Sequence, residues 1–228
     1  MMLREHFSAE LVQLQVNLTT LGELVKTATR LAVEALLRRD NILAGQVIEN
    51  DTVINQLRFR WEEQALQLLA TQNPVARDLR VIAAGIHIVD DLERMGDHAK
   101  GIARISQLMG DNPLVCPGLP LDTMAQKVCE LLNLALASFS NRDANLAGVV
   151  GRRDDEVDEM YNRIAAELFE IMFSDRGKVG EANHLLWAAH HLERIADRTT
   201  NICERVIFVC TGQMEEIPGM SSRLNSHK

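Results

Sequence analysis

The residues best suited to chemistry in this sequence are acidic side chains spaced four positions apart. Glu93 and Asp97 form one such pair, and Glu193 and Asp197 form a second. On a helix, positions i and i+4 lie on one face with their Cβ atoms about 6 Å apart. The two carboxylates of a pair therefore repel each other unless a cation lies between them. Each pair is interpreted as one half of a candidate cation site.

A second pair at the same spacing precedes each of these. Asp51 is followed by Asn55, and Asp154 by Asp158. If the pairs lie on neighbouring antiparallel helices, four oxygen-bearing side chains face one groove and suit a hard multivalent cation. Asn201 continues the later set by one more helical step. The predicted metal ligands are Asp51, Asn55, Glu93, Asp97, Asp154, Asp158, Glu193, Asp197 and Asn201.

Two interpretations of these acidic residues are open. One is a solvated helix surface, on which arginines such as Arg94 and Arg194 balance the acids. The other is a pair of metal sites. Acidic residues on a solvated surface can usually be substituted without loss of stability. Here, however, the same polar positions occur in both halves of the chain. This repetition favours metal binding.

Signatures of an enzyme active site are absent from the sequence. A buried di-iron site needs a Glu-x-x-His step, and Gly96 and Ala196 stand where the histidines would be. There is no glycine-rich phosphate loop and no nucleophile signature. The prediction is a protein that is not an enzyme. The alternative is a metal-dependent hydrolase of phosphoesters or polyphosphate, in which clustered cations activate water.

The chain repeats itself. Residues 39–51 match residues 142–154 at an offset of 103, and residues 92–102 match residues 192–202 at an offset of 100. A length change of three residues, in the loop between the second and third helices of each half, explains the difference in offset. The halves are therefore two copies of one three-helix unit.

The elements that must position the acidic pairs are predicted to be helices. From Leu11 to Ala35 apolar residues recur at steps of three and four, which is the stripe of a long packed helix. Alternation of apolar and polar residues, as in strands, is absent. The expected fold is all-α, with six long helices at about residues 4–39, 42–72, 75–109, 121–140, 144–173 and 178–212.

The prolines divide these helices into two groups. Three of the five prolines lie between Gly110 and Pro120, and proline cannot continue a helix. Sequential helices with short connections pack antiparallel, so each half is predicted to form a three-helix bundle. The expected domains are a first bundle at 1–111, a linker at 112–120, a second bundle at 121–212 and a flexible tail at 213–228.

Composition narrows the classes of partner and location. The 228 residues include 24 Lys and Arg and 32 Asp and Glu, which gives a net charge of −8 and argues against nucleic acid as the main partner. No apolar run approaches the ~18–20 residues of a membrane span, and the first residues lack the apolar stretch of a secretory signal. The four cysteines form no C-x-x-C pair. We therefore expect a cytoplasmic protein with reduced thiols.

Several of these segments resemble one known family. Residues 92–97 (LERMGD) and 192–197 (LERIAD) are similar to the LERIGD signature of the PhoU family of phosphate-uptake regulators. Residues 74–80 (PVARDLR) resemble the segment that opens the third helix in that family, and residues 47–51 (VIEND) resemble its second-helix acidic motif. The resemblance extends over both halves, roughly residues 5–212.

The resemblance implies a fold and a role in phosphate signalling. PhoU proteins have six helices in two similar bundles, are cytoplasmic and are commonly homodimers. They are negative regulators of high-affinity phosphate uptake and of the phosphate-starvation (Pho) regulon. The implied partners are the ATPase subunit of the phosphate ABC transporter and the phosphate-sensing histidine kinase. Contact with that membrane-bound complex would be peripheral, without a transmembrane segment.

The resemblance also implies metal binding at the acidic sets. Some family members bind multinuclear clusters through paired E(D)xxxD motifs, with iron as the expected metal and zinc, nickel or manganese as the alternatives. This chain departs from the family at three positions. Gly101 stands where the family often has Asn or Asp, Ala196 replaces the usual Gly, and Asn55 is a neutral ligand. The first site is therefore expected to bind metal more weakly than the second.

Overall fold

The computed structural model describes residues 2–72, 74–110, 114, 116 and 118–218, with side chains from His6 onward. The described regular elements are all helical, so the predicted all-α fold is confirmed. They are α1 (Met2–Arg38), α2 (Asn41–Gln72), α3 (Ala76–Met109), α4 (Leu121–Asn141), α5 (Ala144–Arg152), α6 (Asp154–Ser174), a short 3₁₀ turn (Arg176–Lys178) and α7 (Val179–Thr211).

The predicted fifth helix, 144–173, is interrupted at Arg153. This residue has φ −81° and ψ −2°, and its N–H donates to the Val150 carbonyl three residues back instead of four. A new helix then starts with acidic residues in its first turn, where negative charge is favoured by the helix dipole. The break makes Asp154 the first residue of α6, so it determines where one candidate metal ligand lies.

The two halves build equivalent bundles that lie side by side. Helices α1, α2 and α3 pack on one another, and α4 to α7 form the second bundle. The bundles meet mainly through α3 and α7, with α1 against α4 at the same interface. Since α3 and α7 are the last helices of their repeats, residues 92–97 and 192–197 both lie on helices of this interface. No described helix is long and apolar enough to cross a bilayer.

The turn that opens the second helix is built in the same way in both repeats. Arg39 and Arg142 both adopt the left-handed conformation, with φ of 58° and 54°. Next in the chain, Asp40 and Asp143 each accept a hydrogen bond, at 2.9 Å, from the backbone N–H three residues further on. Each aspartate thus caps the helix that follows it. This shared geometry supports the duplication inferred from the sequence.

The apolar stripe predicted for α1 is buried. Each large apolar side chain of the stripe contributes about 1.5–3 kcal/mol to the free energy of unfolding when it is fully buried. Leu11 and Ala28 are partly buried against the core. The fully buried positions are Leu14, Leu18, Leu21, Val25, Ala32 and Ala35.

The predicted linker and tail are described only in part. Residues 112, 113, 115 and 117 of the linker and residues 219–228 of the tail lie outside the described residues. Where the tail is described, Ile217 packs on the second bundle. Its N–H donates to Glu204 Oε1 at 2.9 Å, and its side chain occupies the space that a Cβ at Gly151 would need.

We expect Gly85→Ala to destabilise the first bundle. Trp61 is 4% exposed, and its Nε1 donates to the Leu14 carbonyl at 2.8 Å. A Cβ at Gly85 would lie 2.3 Å from Cη2 of this ring. Such overpacking should lower the free energy of unfolding by about 1–3 kcal/mol, measured by urea denaturation. Gly45→Ala is the control, because its Cβ would meet only Gln107 Nε2, at 3.8 Å. Equal effects of both substitutions would contradict the expectation.

Candidate metal centre

Three aspartates of the second bundle converge where α6 lies against α7. Asp154 and Asp158 are one turn apart on α6, and Asp197 faces them from α7. One ligand oxygen from each lies within 4.8 Å of the other two. In the described part of the chain, this is the one group of three or more His, Cys, Asp or Glu side chains with such spacing. Three carboxylates in this arrangement are a suitable donor set for a hard cation.

Burial and neighbouring negative charges act on two carboxylates of this cluster. The pKa of Asp154 is raised to about 7, first by burial and then by the charges of Asp158 and Asp197. The pKa of Asp158 is raised to about 6, first by burial and then by Glu193 and Asp197. Within the described structure, Asp154 Oδ1 is buried and has no hydrogen-bond partner. A bound cation would satisfy this oxygen and relieve the repulsion.

The two acids predicted on α7 are held by neighbouring side chains. Glu193 Oε2 lies 2.7 Å from His190 Nδ1, and Arg194 Nη1 donates to Asp197 Oδ2 at 2.7 Å. Partners of this kind orient ligating carboxylates in metal sites. Glu193 is close enough to Asp158 to raise its pKa, but it is outside the group of three.

The Asn201 side chain forms a hydrogen bond with a residue of α3. Its Nδ2 donates to Asp91 Oδ1 at 3.3 Å, and Arg198 Nη1 donates to the same oxygen at 3.3 Å. Asp91 is 8% exposed, and burial raises its pKa. A metal-ligand role for Asn201 stays a prediction. In the structure, the Asn201 side chain makes a contact between the two bundles. Sequence reasoning missed Asp91, because its repeat counterpart is His191 and the two halves share no acid there.

The first bundle brings its predicted ligands together around a lysine. Asp51, 3% exposed, accepts hydrogen bonds from Lys100 Nζ at 2.6 Å and from Asn55 Nδ2 at 3.3 Å. Lys100 Nζ also lies 3.6 Å from Asp97 Oδ1. The pKa of Glu93 is raised, mainly by burial and then by the charge of Asp97. An ammonium group thus occupies the space between the acids of α2 and α3.

Lys100 is the residue that distinguishes the two sites. It was missed in the sequence because a lysine three positions after an acid is also an ordinary surface ion pair. Its repeat counterpart is Thr200, a neutral residue whose hydroxyl donates to the Gly151 carbonyl at 3.5 Å. Comparing the two repeats at this position would have revealed the difference. The first set therefore has an ammonium between its acids, whereas the second has a neutral residue at that position, and Arg194 pairs with Asp197.

Gly101 has a packing role. A Cβ at this position would lie 2.7 Å from Cε1 and Nε2 of His191. The His191 ring in turn places its Nδ1 3.1 Å from Nδ1 of His98. Burial, with the positive charges around it, lowers the pKa of His98 to about 4, so this histidine is neutral at ordinary pH. Gly101 thus lets the two bundles approach each other closely.

The comparisons with known proteins agree on one family. A model of the PhoU domain matches residues 18–106 and 121–206. The phosphate-specific transport system accessory protein PhoU homolog of Clostridium acetobutylicum is 36% identical over 220 residues, which are 95% of this chain and 99% of that protein. The Zymomonas mobilis protein of the same name is 35% identical, over 92% of this chain and 89% of its own length.

Solved structures give the same result. The crystal structure of PhoU from Pseudomonas aeruginosa matches with a TM-score of 0.84 and 36% identity, over 91% of this chain and 100% of that one. The phosphate transport system regulatory protein PhoU from Streptococcus pneumoniae matches with a TM-score of 0.85 and 31% identity, over 92% and 99%. The two segments matched by the domain model coincide with the two bundles described above.

Proposed function

Because this chain belongs to the PhoU family of phosphate-transport accessory and regulatory proteins, we propose that it is a negative regulator of phosphate uptake and of the phosphate-starvation regulon. The observation that carries the proposal is the family match over both bundles and nearly the whole chain. The family is one of accessory proteins and not of enzymes, which confirms the prediction that the protein is not an enzyme. The hydrolase alternative gains no support.

In this proposal the protein acts as an adaptor in the cytoplasm. It contacts the ATPase subunit of the phosphate transporter peripherally, contacts the phosphate-sensing histidine kinase, and forms a homodimer. Large apolar side chains are exposed on α6 and α7, among them Phe169, Phe173 and Trp187, and such residues are enriched at protein–protein contacts.

The adaptor role is tested by deletion and by direct binding. We expect the deletion strain to express phosphate-starvation genes even when phosphate is abundant. Purified protein should capture both the transporter ATPase and the kinase in pull-down experiments. Unchanged phosphate-regulated transcription in the deletion strain, together with capture of neither partner, would contradict the proposal.

The second part of the proposal is that Asp154, Asp158 and Asp197 hold a multivalent cation. The support is their mutual spacing and the unsatisfied buried oxygen of Asp154. Iron is the expected metal, and zinc, nickel or manganese are alternatives. A cation here would neutralise the three carboxylates and fasten α6 to α7. In the first bundle, the ammonium of Lys100 does this in place of a metal, since it contacts both Asp51 and Asp97.

Exchanging the residues that distinguish the two sites should move metal binding between them. We expect Lys100→Thr to add metal to the first bundle, because it removes the internal ammonium and leaves the Asp51 and Asp97 carboxylates available. Without metal, the loss of the partner of buried Asp51 should lower the free energy of unfolding by about 1–3 kcal/mol. Elemental analysis of the purified variant, with titration of the metal-free protein, measures the change.

The reciprocal variant is the control for this exchange. Thr200→Lys places an ammonium beside Asp154 and should reduce the metal bound by the second bundle. If Lys100→Thr leaves the metal content of the protein unchanged, and Thr200→Lys also leaves it unchanged, the interpretation of Lys100 as an internal cation is wrong.

A further inference from the structure

A polar cleft between the bundles is not explained by the carboxylate cluster. It has a volume of about 250 Å³. Arg94, Asp97 and His98 line it from α3, and Arg194 and Arg198 line it from α7. Arg94 and Arg194 are the same residue of the repeated signature, so each repeat contributes one equivalent arginine to the cleft.

The cleft is lined by more cationic than anionic side chains, and each of its arginines is paired with an aspartate. Three guanidinium groups face a single carboxylate, that of Asp97, whose Oδ1 lies 3.6 Å from Lys100 Nζ. A guanidinium has five N–H donors, and the described ion pairs use only some of them. Those pairs are Arg94 Nε to Asp90 Oδ2 at 3.0 Å, Arg194 Nη1 to Asp197 Oδ2 at 2.7 Å and Arg198 Nη1 to Asp91 Oδ1 at 3.3 Å.

One donor of an arginine that lines the cleft is unsatisfied. Nε of Arg198 is buried and has no hydrogen-bond partner within the described structure. By contrast, the side chains of Arg94 and Arg194 are 53% and 43% exposed, so they can reach a ligand from solvent. The arrangement therefore combines one fixed arginine with two adjustable ones.

We propose that this cleft binds a phosphate-type oxyanion, with Arg94, Arg194 and Arg198 as its donors. The fork of N–H groups on arginine matches the oxygens of a tetrahedral anion, and bidentate pairs of this kind are among the strongest hydrogen bonds in proteins. The small volume and the set of three arginines suit one phosphate group rather than a polyanion. A bound anion would bridge α3 and α7 and so join the two bundles.

This inference goes beyond the proposed function, because it assigns a ligand that neither the metal site nor the adaptor role requires. Arg194 nevertheless connects the two sites, since it donates to Asp197 of the carboxylate cluster. The test therefore uses chelator-treated protein, so that failure of the metal proposal cannot affect the result. The ligand is either free phosphate or a phosphoryl group on a larger molecule, and the probes separate these two sources.

The experiment is isothermal titration of the full metal-free chain at low ionic strength, with inorganic phosphate and phenyl phosphate as separate probes. We expect saturable binding of phosphate that is weakened at least about tenfold in the double variant Arg94→Met, Arg194→Met. Tighter binding of phenyl phosphate than of inorganic phosphate assigns the site to a phosphoryl group on a larger molecule, and the reverse order assigns it to free phosphate. If the double variant does not fold, the single variant Arg94→Met replaces it, and we expect that variant to bind phosphate several-fold more weakly than the unmodified protein.

Arg38→Met is the matched control. Like Arg94, Arg38 is an exposed arginine paired with a carboxylate four residues earlier, but it is not among the residues lining the cleft. Its phosphate affinity should equal that of the unmodified protein. Absence of saturable binding for both probes, or equal affinities in the unmodified protein and the cleft variants, would overturn the proposal.

Discussion

Asp197→Asn is expected to reduce the affinity of the second bundle for metal by about 100-fold or more. The substitution removes one of three converging carboxylates, and even residues that only support metal ligands typically contribute 10–100-fold to affinity. The variant should also lose the stabilisation that metal gives the folded state, about 2.7 kcal/mol when the free metal is 100 times the dissociation constant. Elemental analysis and thermal melting with and without added metal measure both effects.

The control for this prediction is the equivalent substitution in the first bundle. Asp97→Asn changes the same signature position, but Lys100 already supplies a positive charge there. We therefore expect Asp97→Asn to leave the metal content of the protein unchanged. Equal loss of metal in the two variants would show that the repeats bind metal alike and that Lys100 does not exclude it.

Asp154→Asn should stabilise the metal-free protein at about pH 8 while abolishing its stabilisation by metal. Burial, together with the charges of Asp158 and Asp197, raises the pKa of Asp154 in the folded state from its ordinary 3.8 to about 7. Between those two values the folded chain holds a proton that the unfolded chain has lost, so stability falls as pH rises from about 4 to about 7. The Asn variant has no carboxylate to ionise and so avoids this loss of stability. We expect it to have a free energy of unfolding about 1–3 kcal/mol higher than the unmodified protein at pH 8.

The pH dependence gives this prediction its own control. Near pH 4 the carboxyl of Asp154 is largely protonated in the folded state, and the variant and the unmodified protein should then unfold at similar denaturant concentrations. Denaturation series in chelator at both pH values provide the measurement. If the variant is less stable than the unmodified protein at pH 8 in chelator, Asp154 makes a favourable contact as an anion, and burial and neighbouring charges do not destabilise it.

Much of the fold follows from the sequence because its signals are local. The step of three and four along α1 is a property of neighbouring positions, and the positions Leu14 to Ala35 are buried as that periodicity requires. The duplication is visible because both copies retain the same turn, with its αL arginine and its capping aspartate. The break at Arg153 has no counterpart at the equivalent position in α2, so neither the periodicity nor the repeat predicted it.

Of the candidate site, the sequence predicted the acidic residues and not the contacts between them. Whether an acid meets a cation depends on distances between helices, and these depend on register and loop length. Lys100 reaches Asp51 across the contact between α2 and α3, 49 residues away in sequence. Asp91, which receives Asn201 and Arg198 from α7, depends in the same way on how the two bundles are placed.

Anomalous diffraction from crystals grown with iron, collected at the iron absorption edge, tests the assignment of the metal centre most directly. We expect an anomalous peak among the carboxylates of Asp154, Asp158 and Asp197, and none between Asp51 and Lys100. A peak beside Asp51 would show that the internal ammonium does not replace a metal. Carboxylates of Asp154 and Asp158 turned away from Asp197, with no peak between them in these crystals, would contradict the metal centre itself.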